Sequence, residues 1–135
     1  MIFRLIFIFS FLFFFQKSDK VIFSDIKKIY ARNSKISFSI KNNSSENIIY
    51  NVGLEILIDN EWREIASNIT NLNSKTTQIF KTKPNIQQYF TLDLKNTFFK
   101  HRSEKIKYRF FVLLRNSDYS IKENSKITSE DFVIE

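Results

Sequence analysis

Beyond residue 20, apolar side chains recur at every second position along much of the chain. In KISFSI, Ile36, Phe38 and Ile40 share one side while Ser37 and Ser39 share the other. That two-residue period belongs to a strand with one buried face. The longest alternation is Tyr50, Val52, Leu54, Ile56 and Ile58, set against Asn51, Gly53, Glu55 and Asp59, with Leu57 out of phase. Asp59-Asn60 is a turn signal, and EWREIA reads as the returning arm of a hairpin. QYFTLDL points Phe90, Leu92 and Leu94 inward. IKYRFFVLLR does the same with Ile106, Tyr108, Phe110, Val112 and Leu114, and Phe111 and Leu113 on its other side predict a central strand. SEDFVIE closes the chain with Phe132 and Ile134 inward.

Polar clusters separate these segments. KNNSSEN is a turn, residues 68–74 a loop or short strand, Pro84 a break, KNTFFKHRSEK a long basic connection, and residues 116–125 a polar loop or hairpin. No stretch sustains a 3.6-residue stripe. About seven short strands with turns between them predict an all-β chain, an antiparallel immunoglobulin-like β-sandwich, with a closed barrel as the alternative. The chain has a single Gly, which favours the sandwich, because tight barrels use Gly at their corners. Gly53 falls inside a strand, where it marks a bulge or a close approach. Trp62 is expected to pack over the core edge with its indole N–H at the rim.

The first twenty residues differ. Arg4 precedes an apolar run from Leu5 to Phe15 broken only by Ser10, and Gln16, Lys17, Ser18, Asp19 and Lys20 follow. The run is short for a membrane span and fits the apolar region of an export signal. Three readings stand: a cleaved signal, an uncleaved anchor over residues 2–15, or a buried first strand, which the lack of alternation disfavours. We therefore divide the chain into residues 1–20, a signal or anchor, and residues 21–135, the sandwich. The expected location is outside the cytoplasm: periplasm, cell surface or medium.

Chemistry narrows the functions further. The chain has no Cys, which removes disulfides, thiolate metal sites and Cys nucleophiles. His101 is the only His and sits among basic neighbours that would not orient it as a base. One Gly cannot build a phosphate-binding Gly-rich loop or a nucleophile elbow. Glu55, Asp59, Glu61 and Glu64 lie close in sequence, and their strand and turn positions read as a solvated edge. We expect no catalytic residues, no cofactor and no metal. The net charge of +7 favours anionic partners. Lys95, Phe98, Phe99, Lys100, His101, Arg102, Lys105, Lys107 and Arg109 would form a basic, aromatic rim for such a ligand. The partner is expected to be a protein or an anionic envelope or glycan surface rather than nucleic acid, with the membrane met only through the N-terminal segment.

The stretch ISFSIKNNSSENIIYNVGLEILIDNEWREI resembles the front half of small bacterial immunoglobulin-like domains of exported and lipoprotein-type envelope proteins, and KYRFFVLL is similar to their penultimate strand. The resemblance implies that Tyr108 anchors a corner. It implies a non-enzymatic binding or envelope-accessory module, or a periplasmic inhibitor or chaperone-like protein acting through an exposed edge strand. Gln16-Lys17 stands where the lipoprotein members carry their acylated Cys, so lipid attachment is closed to this chain.

Overall fold

The computed structural model describes residues 20–65, 69–71, 79–94 and 106–135. The leader lies outside them. Among the described residues there are eleven strands: β1 (Val21–Ser24), β2 (Ile29–Tyr30), β3 (Lys35–Asn42), β4 (Ile48–Ile58), β5 (Glu61–Ile65), β6 (Ile69–Asn71), β7 (Phe80–Thr82), β8 (Gln87–Asp93), β9 (Lys107–Arg115), β10 (Ile121–Thr128) and β11 (Phe132–Ile134). Seven have four or more residues and the other four have two or three, against the about seven short strands expected.

Two sheets face each other. One runs β1-β3-β8-β6. The other runs β2-β11-β9-β4-β5, with β10 also on β9 and β7 also on β4. All pairings are antiparallel except β2 with β11, which is parallel. The alternating segments do what their period requires. Ile36, Phe38 and Ile40 from β3 and Phe90 and Leu92 from β8 meet Tyr50 and Leu54 of β4, Phe110 and Val112 of β9, and Phe132 of β11, all buried. The Phe38 and Phe110 rings stack across the sheets with centroids 3.9 Å apart. Full burial of one such side chain contributes about 1.5–3 kcal/mol, so this layer dominates the favourable side of folding.

The turns follow from local chemistry. Asp59 and Asn60, with φ of 51° and 62°, form the two-residue loop that closes the pair Ile58–Glu61. Positive φ at both positions is the primed geometry that matches strand twist. Pro84-Asn85 makes a second turn: Asn85 has φ of 62°, and the Ile86 N–H donates to the Lys83 carbonyl at 3.3 Å.

Of three expectations, two are sharpened and one needs correction. Residues 116–125, expected as a polar loop or hairpin, form the hairpin: residues 116–120 make the turn and the second half belongs to β10. This edge strand is polar and mostly exposed, so its ladder to β9 holds it rather than a buried face. Tyr108, expected to anchor a corner, is buried and stacks on Phe132 at 6.0 Å. Tyr30 makes a tyrosine-to-backbone closure: its hydroxyl accepts from the Lys27 N–H at 2.7 Å and donates to the Asp25 carbonyl at 3.4 Å. Trp62 does not pack over the core edge. The hairpin register places it opposite Leu57, on the face of the larger sheet turned away from the core.

Candidate functional site

Two features of the larger sheet stand out: its outward face and its β10 edge. On the face, Glu55 occupies the middle of β4, pointing away from the core, yet is 1% exposed. Two cations cover it. Arg109 Nε on β9 donates to Glu55 Oε2 at 2.8 Å, and Lys126 Nζ on β10 donates to Oε1. Each cation also lies over a ring: the Arg109 guanidinium is 4.1 Å from the centre of Trp62, and Lys126 Nζ is 4.9 Å from that of Phe111. Burial alone pushes the Glu55 carboxyl up, but the hydrogen bonds and charges of Lys126 and Arg109 outweigh it and hold the group below the usual carboxylate range. Glu55 is therefore not part of a solvated edge, because long side chains from β9 and from β10 beyond it close over it. The β4–β9 register runs unbroken through Gly53, so there is no bulge there. The close-approach reading applies instead: a Cβ at Gly53 would meet the Phe111 ring at 2.2 Å.

β10 is the longest strand with a single hydrogen-bonded neighbour among the described residues. Residues 122–125 oppose the single residue Leu114 and form a bulge, pinned by Ser125 Oγ donating to the Leu114 carbonyl at 3.0 Å. Regular pairing resumes at Lys126–Leu113 and runs to Thr128–Phe111. The Ser129 N–H donates to the Phe110 carbonyl at 2.9 Å. Antiparallel pairs alternate, so the backbone groups of Lys126 and Thr128 point away from β9, to the open side. Further along β9, that side is occupied by β11 and covered by β2. The open edge is thus bounded by a bulge at one end and a paired strand at the other.

Of the residues predicted to form a basic rim, Lys95, Phe98, Phe99, Lys100, His101, Arg102 and Lys105 lie outside the described residues. Lys107 and Arg109 both stand on the outward face of β9. Lys107 is exposed opposite Val133, and Arg109 is bound to Glu55 and Trp62. Sequence reading missed Lys126 and Asn42. Asn42 was read as part of a turn cluster. It is fully buried, and its Nδ2 donates to the Glu46 carbonyl at 2.7 Å and the Thr82 carbonyl at 3.2 Å, tying the β3–β4 loop to β7. Its place at the inward-facing end of the Ile36, Phe38, Ile40 alternation was the available signal. Among the described residues, no three His, Asp or Glu side chains converge to hold a metal ion.

Two facing sheets with these connections define an immunoglobulin-like β-sandwich, and solved proteins of that fold resemble the chain. It is similar to a chain of the Salmonella enterica SafA pilin–SafB chaperone complex, at 10% identity and a TM-score of 0.55, over 87% of this chain and 55% of that one. It is similar to the class 5 fimbriae chaperone CfaA at 13% identity and 0.53, over 84% and 54%. It is also similar to the periplasmic chaperone SfaE at 12% identity and 0.50, over 84% and 54%. The chain thus spans about half the length of each. At these identities the likeness is one of fold. No protein-family model and no curated protein matches the sequence.

Proposed function

We propose that this protein is a non-enzymatic, exported immunoglobulin-like binding module. In this reading it takes an extended segment of a partner protein onto the β10 edge, in the manner of a periplasmic chaperone or inhibitor. The observation that carries the reading is the open, bounded edge of β10. An edge strand presents unpaired N–H and C=O groups that an extended segment satisfies, so affinity comes from the backbone and selectivity from alternate side chains. The bulge at residues 122–125 limits addition to a short segment and blocks open-ended stacking of copies. The fold is shared with chaperones, one of them solved in complex with a pilin. The apolar run behind Arg4 supports export, with residues 1–20 as signal or anchor and residues 21–135 as the domain.

The test is a scan of the full chain against extended peptides with alternating apolar residues, each made in two N-methylated forms blocking one backbone edge or the other. Binding should survive methylation of one edge and vanish with the other. Thr128→Pro, which removes a donor from the open side without touching the β9 ladder, should abolish binding and leave stability nearly unchanged. Equal binding by both methylated forms, or by Thr128→Pro, overturns strand addition.

A further inference from the structure

The end of the sandwich where the described chain begins is built from four pieces. They are Lys20, the β3–β4 loop (43–47), the β7–β8 turn (83–86) and the β9–β10 turn (116–120). Backbone bonds knit the first three together, and the β9–β10 turn closes on itself, the Asn116 N–H donating to the Ser120 carbonyl and the Tyr119 N–H to the Asn116 carbonyl, both at 2.9 Å. The Asn43 N–H donates to the Lys20 carbonyl at 2.8 Å, the Asn85 N–H to the Asn42 carbonyl at 2.8 Å, and the Asn42 N–H to the Ile86 carbonyl at 3.1 Å. With the two Asn42 side-chain bonds, this end is a fixed platform rather than a set of free loops.

The platform has two properties that the core does not explain. First, large apolar side chains stand in water on or beside its turns: Ile86 is 50% exposed, Tyr119 47% and Ile121 57%. Tyr119 also holds φ of 67°, a left-handed conformation that a bulky residue adopts at a cost and that Asn would serve better. Second, the same end is basic. Lys20, Arg115 and Lys122 line a cleft of about 230 Å³ with Ser44 and Glu46. Lys83 sits in the neighbouring turn and Lys81 lies 5.8 Å from the Tyr119 ring. These five cations outnumber the acids of this end: Glu46, Asp118 and Glu123. The chain continues from Lys20 toward the N-terminus through Lys17 into the apolar run ending at Phe15. Four residues separate that run from the platform, and the five steps from Phe15 to Lys20 reach at most about 18 Å.

We propose that this end of the sandwich docks on an anionic phospholipid surface. Lys20, Lys83 and Lys122 would face the headgroups, and Tyr119, Ile86 and Ile121 would enter the interfacial layer. Tyr is enriched where one end of a side chain is apolar and the other wet, and lysines beside a membrane segment are drawn to acidic lipid. Docked in this way, β10 begins at the bilayer and its open edge at residues 126–128 stands away from it. The inference does not rest on strand addition, and either can fail alone.

The absence of Cys makes single-site labelling direct. The full chain carrying a fluorophore at Ser45→Cys on the platform, or at Asn33→Cys in the β2–β3 turn at the opposite end, is reconstituted into vesicles with nitroxide-labelled headgroups. The vesicles are phosphatidylcholine alone or mixed with phosphatidylglycerol. The Ser45 probe should be quenched in the mixture and much less in phosphatidylcholine, and the Asn33 probe in neither. Lys20→Gln and Lys122→Gln should each weaken docking about fivefold. Tyr119→Asn should weaken docking while raising the thermal midpoint, a pairing that a purely structural role would not produce. Preferential quenching at Asn33 places the other end on the bilayer and overturns the proposal. So does quenching that is insensitive to phosphatidylglycerol or to both lysine variants. Release by inorganic phosphate, but not by chloride at equal ionic strength, assigns the site to a small anion and overturns it as well.

Discussion

The Glu55 cluster makes a quantitative demand on stability. The Glu55 side chain is 2% exposed, Arg109 22% and Lys126 46%. Arg109→Ala strips one partner from a buried carboxylate and opens it to the Trp62 side. Breaking such a pair from one side costs about 3–5 kcal/mol, because the remaining charge is left uncompensated. Lys126 stays and keeps part of the compensation, so the expected loss is near the lower limit, about 3 kcal/mol. Glu55→Gln acts differently. It removes the buried charge itself and leaves two cations that can turn to water, so its loss is smaller, about 1–2 kcal/mol. In the Glu55→Gln background, Arg109→Ala then removes only packing and the contact with Trp62, about 1 kcal/mol. The two sites are thus coupled by about 2 kcal/mol, well above the roughly 0.5 kcal/mol scatter of independent sites. Urea unfolding of the four proteins of this cycle at pH 7 measures the coupling, and a value within that scatter means the cluster is a surface contact with no energetic role.

The same cluster fixes the sign of a pH effect. Lys126 and Arg109 lower the Glu55 carboxyl below its ordinary value despite its burial. A depressed carboxyl contributes stability that is complete above the unfolded value of about 4.3 and is lost as pH falls through the folded value beneath it. Wild type should therefore lose more stability than Glu55→Gln between about pH 5 and pH 2, the other carboxylates being common to both. Parallel profiles across that window contradict the assignment.

Three further substitutions probe other contacts. Gly53→Ala places a Cβ 2.2 Å from the Phe111 ring and should lose about 1–3 kcal/mol in chemical denaturation; adding Phe111→Leu should recover part of it. Thr82→Val should stabilise by about 1 kcal/mol, because the Thr82 hydroxyl is buried with no hydrogen-bond partner among the described residues; a lower thermal midpoint would show that the hydroxyl is satisfied. Tyr50→Phe keeps the fully buried ring but removes the hydroxyl that donates to Gln88 Oε1, and should lose about 1–2 kcal/mol by the same measurement.

What was legible in the sequence follows from range. The alternations of β3, β4, β8 and β9 are local, and each placed its buried side chains correctly, because strand period and burial are read from the same few residues. The Glu55 cluster is not local. Its partners lie 54 and 71 residues away, and no pattern near position 55 announces that β9 and β10 will bring Arg109 and Lys126 over it. Trp62 failed for a related reason. Its side of the sheet depends on hairpin register, and the out-of-phase Leu57, with Phe111 and Leu113 on the far side of β9, hinted at a second apolar face. β10 was legible only as the hairpin alternative for residues 116–125, because a polar edge strand carries little burial signal.

Composition holds one more link between sequence and shape. A sandwich with eleven strands among the described residues needs many reversals, and several require positive φ, the province of Gly. With one Gly, spent on the approach of Phe111, this chain assigns those positions elsewhere. Asp25, Asp59, Asn60, Asn85 and Asn124 all have positive φ. Asn and Asp tolerate that region better than other side chains, because they bond to nearby backbone. The Asn and Asp at these turns are then a solution to folding with a single Gly. Among the described residues, Tyr119 is the one in this conformation that the turn chemistry does not justify. It is also exposed, beside the cations of the N-terminal platform. A departure from an otherwise consistent rule is where a cost to folding is most plainly tied to something other than folding.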